Sequence, residues 1–150
     1  MTASKRLQPI KSMADKTEKN AASDLSDSIK YKQDQISKLS QLIGYRDEYL
    51  AKIKEKSQIG VSGAKLRQYH LFLNKLNLAI NQQKTSVEIS EDTVGQKQGA
   101  WQNKSSRAQA IGKVMSNLQS KEKLKSERKE ANQLDELTTQ AFVRNSKIAV

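Results

Sequence analysis

Gln58-Ile59-Gly60-Val61-Ser62-Gly63 is the stretch that decides the fold. Two glycines stand within four residues, beside a serine suited to cap a following helix. Between Ser12 and Val143 the residues that break helices cluster nowhere else, so one turn is expected at 58–63 with a long helix on either side. Upstream, Leu25, Ile29, Lys32, Ile36, Leu39, Ile43, Arg46, Leu50 and Ile53 follow a strict 4-3 spacing, and seven of the nine are apolar. Downstream, a second seam runs Leu66, Tyr69, Leu73, Leu76, Ile80, Gln83, Val87, Ser90, Val94, Lys97, Trp101, Lys104, Ala108, Ile111, Met115 and Leu118. A period of 3.5 on both sides of one short turn predicts an all-α fold, a long two-helix antiparallel coiled coil with the second helix longer.

Helix one is predicted over about 9–57, starting near Pro9 or at Ser12, whose Ser12-x-x-Asp15 resembles a capping box. It would be about 70 Å long at the α-helical rise. Helix two is predicted over about 64–145, all within a single coiled-coil domain of 1–150. With the hairpin centred near Gly60, residue i lies level with residue 121 − i. Residues 119–150 are then expected to form a helical overhang that frays towards Val150. Gly44, Gly95, Gly99 and Gly112 all fall inside the predicted helices. Close packing, tolerance along a long seam and softening of helix two are each compatible with them.

Composition fits this frame. Of 150 residues, 35% are hydrophobic and 29% charged, with six glycines and one proline, too few turn formers for sandwiches, barrels or alternating β/α layouts. There is no cysteine, which removes disulfides, thiolate metal sites and thiol nucleophiles and fits a reducing compartment. No apolar run exceeds three residues, so neither a signal peptide nor a membrane span is expected and the chain is placed in the cytoplasm.

Nothing in the sequence assembles an active site. His70 is the single histidine, has no Cys, second His or acid within a turn, and is expected to face solvent. Asp47-Glu48 and Asp135-Glu136 are adjacent pairs, which point about 100° apart on a helix and cannot converge on one atom. Gly95-Gln96-Lys97-Gln98-Gly99 lacks the ending of a phosphate loop. Trp101 sits on the seam and is expected in the core. No catalytic residue, cofactor or metal ligand is assigned.

Two surfaces stand out instead. Leu42, Tyr45 and Tyr49 run one position ahead of the seam, and Phe72, Leu76 and Ala79 lie level with them under the 121 rule. These side chains either widen the core near the turn or form an exposed apolar patch of the kind that marks a protein partner, and the off-seam aromatics favour the patch. The second surface is basic. Residues 93–121 contain no acid and hold Lys97, Lys104, Arg107 and Lys113, while the first twenty residues carry Lys5, Arg6, Lys11, Lys16 and Lys19 against Asp15 and Glu18. Most of the formal net charge of +11 is thus expected at the end remote from the turn.

Several motifs in order, Ser4-Lys5-Arg6-Leu7-Gln8-Pro9, Tyr45-Arg46-Asp47-Glu48-Tyr49, Tyr69 with Phe72-Leu73, Leu76, Ala79-Ile80, Gln82-Gln83, the lone Trp101 and the late Asp135-Glu136, closely resemble the bacterial flagellar export protein FliJ family. The resemblance covers nearly the whole chain. It implies a non-enzymatic component of the flagellar type III export apparatus, a coiled coil similar to the central stalk of rotary ATPases. The implied partners are the hexameric export ATPase ring, the cytoplasmic domain of the export gate membrane protein, and the substrate chaperones. The implied location is the inner membrane face at the flagellar basal body, by peripheral association. On this resemblance the gate-facing residues are Leu42, Tyr45, Tyr49, Phe72, Leu76, Ala79 and Gln83. The ATPase ring is expected at the basic end, with Lys5, Arg6, Lys11, Lys97, Lys104, Arg107 and Lys113. The competing class is a basic coiled coil that binds nucleic acid, suggested by the pI of about 9.8. It is disfavoured because the longest Lys/Arg run is two residues and no aromatics interleave the basic stretch. A membrane-surface helix is disfavoured because the basic and apolar faces occupy different ends.

Overall fold

The computed structural model describes residues 2–148 as two long α-helices packed against each other, α1 (Ala3–Ile59) and α2 (Gly63–Ile148), with no strand among the described residues. The fold is a helical hairpin whose second helix is the longer, 86 residues against 57. The turn forms where local chemistry asks for it. Gly60 adopts φ +109°, a region that side chains rarely enter, and its N–H donates to the Lys56 carbonyl at 3.1 Å to close the end of α1. Ser62 then caps α2. Its Oγ accepts from the Lys65 N–H at 3.2 Å, and its carbonyl accepts the first helical bond from Leu66 at 3.0 Å.

The chain divides into two compact units. One comprises residues 19–103 and contains the turn. Its α1 face packs through Leu25, Ser28, Lys32, Gln35, Leu39, Leu42, Arg46, Tyr49 and Ile53, all buried or half-buried. Five of these belong to the expected seam. The intervening heptad position falls one residue earlier than expected, on Ser28, Gln35, Leu42 and Tyr49 in place of Ile29, Ile36, Ile43 and Leu50. Ile29 and Leu50 are exposed, at 42% and 41%, and Ile36 and Ile43 are half-buried flanks. The reason lies in α2. Gln83 donates from Nε2 to both the backbone carbonyl and Oε1 of Gln35, each at 2.9 Å, and the Tyr49 ring packs against Tyr69 and Phe72. Specific pairing overrides the more apolar stripe. The α2 face of this unit follows expectation through Tyr69, Leu73, Leu76, Ile80, Gln83, Val87, Ser90, Val94 and Trp101, with Ile80 sealed at 2% exposure, whereas Leu66 and Lys97 are exposed.

The other unit comprises residues 1–18 and 104–150, of which Met1, Ala149 and Val150 lie outside the described residues. Here Ser4, Leu7, Lys11 and Ala14 pack with Ala108, Ile111, Met115 and Leu118, while Lys104 is exposed. Helix α1 begins at Ala3, ahead of the predicted start, with Pro9 inside it and Ser12 in mid-helix. Its first turn contains no acidic residue, so the orphan amides there must find an acceptor elsewhere. Thr2 Oγ1 accepts from the Lys5 N–H at 3.4 Å, and Glu122 on α2 accepts from the Ser4 N–H at 3.0 Å and from Ser4 Oγ at 2.6 Å. A carboxylate at a helix N-terminus also meets the favourable end of the peptide dipoles. Because α1 starts early, the paired region reaches Glu122, and only from residue 123 is every described residue exposed. The unpaired part of α2 therefore begins at 123, not 119, and it is α-helical through Ile148. The expected fraying at Val150 falls outside the described residues.

The cap is sensitive to acid. The hydrogen bond from the Ser4 hydroxyl, and then that from the Ser4 amide, hold the Glu122 carboxyl below its ordinary value of 4.5. A depressed folded-state pKa contributes stability that is complete above the ordinary value and is lost as pH falls through the lowered one. In an NMR titration the Ser4 amide proton should shift with a midpoint below 4.5. That response should vanish in Glu122→Gln. A midpoint at or above the ordinary value contradicts the cap.

Candidate functional site

The aromatic cluster is built within residues 19–103. Tyr49, half-buried, is its hub: its ring stands edge-on to Tyr69 at 6.0 Å and 83°, and to Phe72 at 4.7 Å and 61°. Such tilted contacts place the positive edge of one ring against the negative face of another. The Lys56 ammonium lies 5.7 Å from the Tyr69 ring centroid, within cation–π range. The contact of Tyr49 with Phe72 agrees with the level that the 121 rule assigns, and Gln35 with Gln83 departs from it by three residues, less than one helical turn.

The seven residues expected at the gate surface divide into two sets. Leu42, Tyr49, Leu76 and Gln83 are half-buried members of the seam, and Ala79 is half-buried beside it. Tyr45 and Phe72 are the outward members, exposed by 61% and 47%, with Leu71 and Leu78 also exposed nearby along α2. Tyr45, Glu48, Tyr49, Lys52, Phe72 and Leu76 enclose a shallow cleft of about 240 Å³. Its floor is Tyr49 and Leu76, and its rim carries one carboxylate and one ammonium. The Gln83 amide is occupied by Gln35. The shift of the α1 seam by one residue is what turns Leu42 and Tyr49 inward. Apolar periodicity alone favours the adjacent stripe.

The basic residues are placed unevenly. Lys97 lies in the unit of residues 19–103 and is exposed, whereas Lys5, Arg6, Lys11, Lys104, Arg107 and Lys113 lie in the other unit. Lys11 is turned to internal use. Its Nζ contacts Asp15 Oδ1 at 2.6 Å and the Ala108 carbonyl at 3.3 Å, and its Cε lies 3.3 Å from where a Cβ on Gly112 would stand. Glycine at 112 thus makes room for the lysine stem. Lys5 faces the Glu122 carboxylate and adds to its stabilisation. Lys104 and Arg107 remain at the surface, beside a cleft of about 400 Å³ lined by Pro9, Ile10, Met13, Ala14 and Thr17. The two cations are legible in the sequence and the apolar cleft is not, because Ile10 and Met13 stand where the sequence leaves the start of α1 open. His70, expected to face solvent, is exposed, and Trp101, expected in the core, is half-buried on the seam.

No helix among the described residues is long and apolar enough to cross a membrane. A search of the curated proteins and of the solved structures found no match to the chain. The family model described as flagellar FliJ protein matches residues 4–147, from the Ser4 cap to the last described turn of α2. With a helical hairpin, its unequal helices and this match over nearly the whole length, the chain belongs to the FliJ family of flagellar export-associated proteins.

Proposed function

We propose that the protein is a non-enzymatic coupling component of the flagellar export apparatus. It binds the cytoplasmic domain of the export gate through the aromatic cleft and engages the hexameric export ATPase ring through the basic residues near the termini. It also assists delivery of substrate chaperones, from the cytoplasm and in peripheral association with the inner membrane at the basal body. The observation that carries the gate contact is the cleft at Tyr45 and Phe72: two exposed aromatic rings on a rigid floor made by Tyr49. Large rings held in place lose little entropy on binding and dominate interfaces of this kind. For the ring contact, the support is the basic rim of Lys104 and Arg107 over the cleft at Ile10 and Met13.

Phe72→Asp or Tyr45→Asp should weaken binding to the purified gate domain by about tenfold or more. Far-UV circular dichroism should remain that of the parent, because both side chains point outward. If both variants bind the gate and support motility as the parent does, the assignment of this cleft fails. Lys104→Glu with Arg107→Glu should act selectively on the ATPase, and a parallel pull-down against both partners separates the two surfaces.

A further inference from the structure

The turn carries a surface that the gate and ATPase contacts do not use. Ile59, the last residue of α1, is exposed by 84% and stands next to Gly60 with its positive φ. Around it the charge is one-sided. Residues 56–87 contain no Asp or Glu, and on the α1 side Glu55 is the single carboxylate between Lys52 and Lys56. Lys56, Ser62, Lys65 and Tyr69 line a cavity of about 360 Å³ together with the turn backbone. The Tyr69 hydroxyl, buried and without a hydrogen-bond partner, belongs to the same cavity wall. An unpaired hydroxyl in the wall of a cavity lined by two lysines suits a ligand rich in acceptor oxygens.

Resting on the peripheral membrane association proposed above, we propose that this turn docks on the surface of a bilayer rich in anionic phospholipid, with Ile59 among the headgroups and Lys56 and Lys65 on the phosphates. Charge complementarity sets the sign of the surface, since juxtamembrane lysines are drawn to anionic headgroups within a Debye length. Shape chooses bilayer over protein. A single projecting apolar side chain requires a fitted socket in a protein partner, whereas the headgroup region yields to it as it does to interfacial anchors. An exposed apolar side chain and two lysines thus meet at one turn, apart from the basic end.

Flotation of the full-length chain with vesicles tests the proposal. It should float with vesicles of phosphatidylglycerol and phosphatidylethanolamine and stay behind with phosphatidylcholine alone. Lys56→Glu with Lys65→Glu should lower the apparent affinity by about tenfold or more, whereas Lys125→Glu with Lys129→Glu, the same change in net charge, should lower it by less than about threefold. The chain has no cysteine, so Ile59→Cys and Ser120→Cys each take a single environment-sensitive fluorophore. Emission should shift to the blue on anionic vesicles for the label at 59 and not for the label at 120. Equal losses from the two charge-reversed pairs, or an unshifted label at 59, overturn the proposal in favour of attraction by total charge. Failure of the parent chain to float overturns the proposal together with the peripheral association on which it rests. The label at 59 leaves the aromatic cluster intact, so that readout is separate from the gate contact.

Discussion

Replacing Ile80 with alanine should lower the unfolding free energy by about 2–5 kcal/mol, the range for truncating a fully buried isoleucine. A two-helix seam leaves most of its side chains half in solvent, so each contributes only part of its transfer free energy. Ile80 is the exception, at 2% exposure, near the middle of the unit formed by residues 19–103. Alanine there removes apolar contacts and leaves a gap that two packed helices cannot easily close. The matched control is Ile29→Ala, the same chemical change at an exposed position on α1, where a cost below about 1 kcal/mol is expected. Urea unfolding followed by circular dichroism measures both. Equal losses would show that the apolar stripe through Ile29 faces inward after all.

The second large effect concerns polarity inside the seam. Gln83→Leu should cost about 1–3 kcal/mol, because Gln35, itself buried, keeps an Oε1 acceptor with its donor removed. Gln35→Leu with Gln83→Leu should recover most or all of that loss, since an apolar pair of similar size has nothing left unsatisfied. The double-mutant cycle isolates the coupling of the two side chains. A buried polar pair of this kind specifies alignment at some expense in stability, as single polar positions do in other coiled coils. Cross-linking between cysteines introduced on α1 and α2 should therefore yield one dominant pairing in the parent background and several in the double variant. A neutral Gln83→Leu would remove the pair from this role.

Half of the α1 seam was legible from spacing. Leu25, Lys32, Leu39, Arg46 and Ile53 are common to both candidate stripes, and all five pack inward. The other half was not, because Ile29, Ile36, Ile43 and Leu50 are more hydrophobic than Ser28, Gln35, Leu42 and Tyr49, and a hydrophobicity pattern ranks residues one at a time. What selects the second set is complementarity with α2, through Gln83, Tyr69 and Phe72. The candidate site inherits the same limit. Its residues were found by their type and level on the hairpin, but which of them form a floor and which face outward depends on the rotation of α1.

The turn, the two helices and the direction of the second are readable from the residues alone, because they follow from interactions a few residues apart: Gly60 reversing the chain, Ser62 capping α2, and heptads on both sides. The rotation of α1 about its axis, its start at Ala3 and the length of α2 left unpaired are set by packing between the helices. The α1 start shows why. No acid stands in its first turn, and the carboxylate that completes the cap is Glu122, which comes within reach of Ser4 only after the two helices have packed.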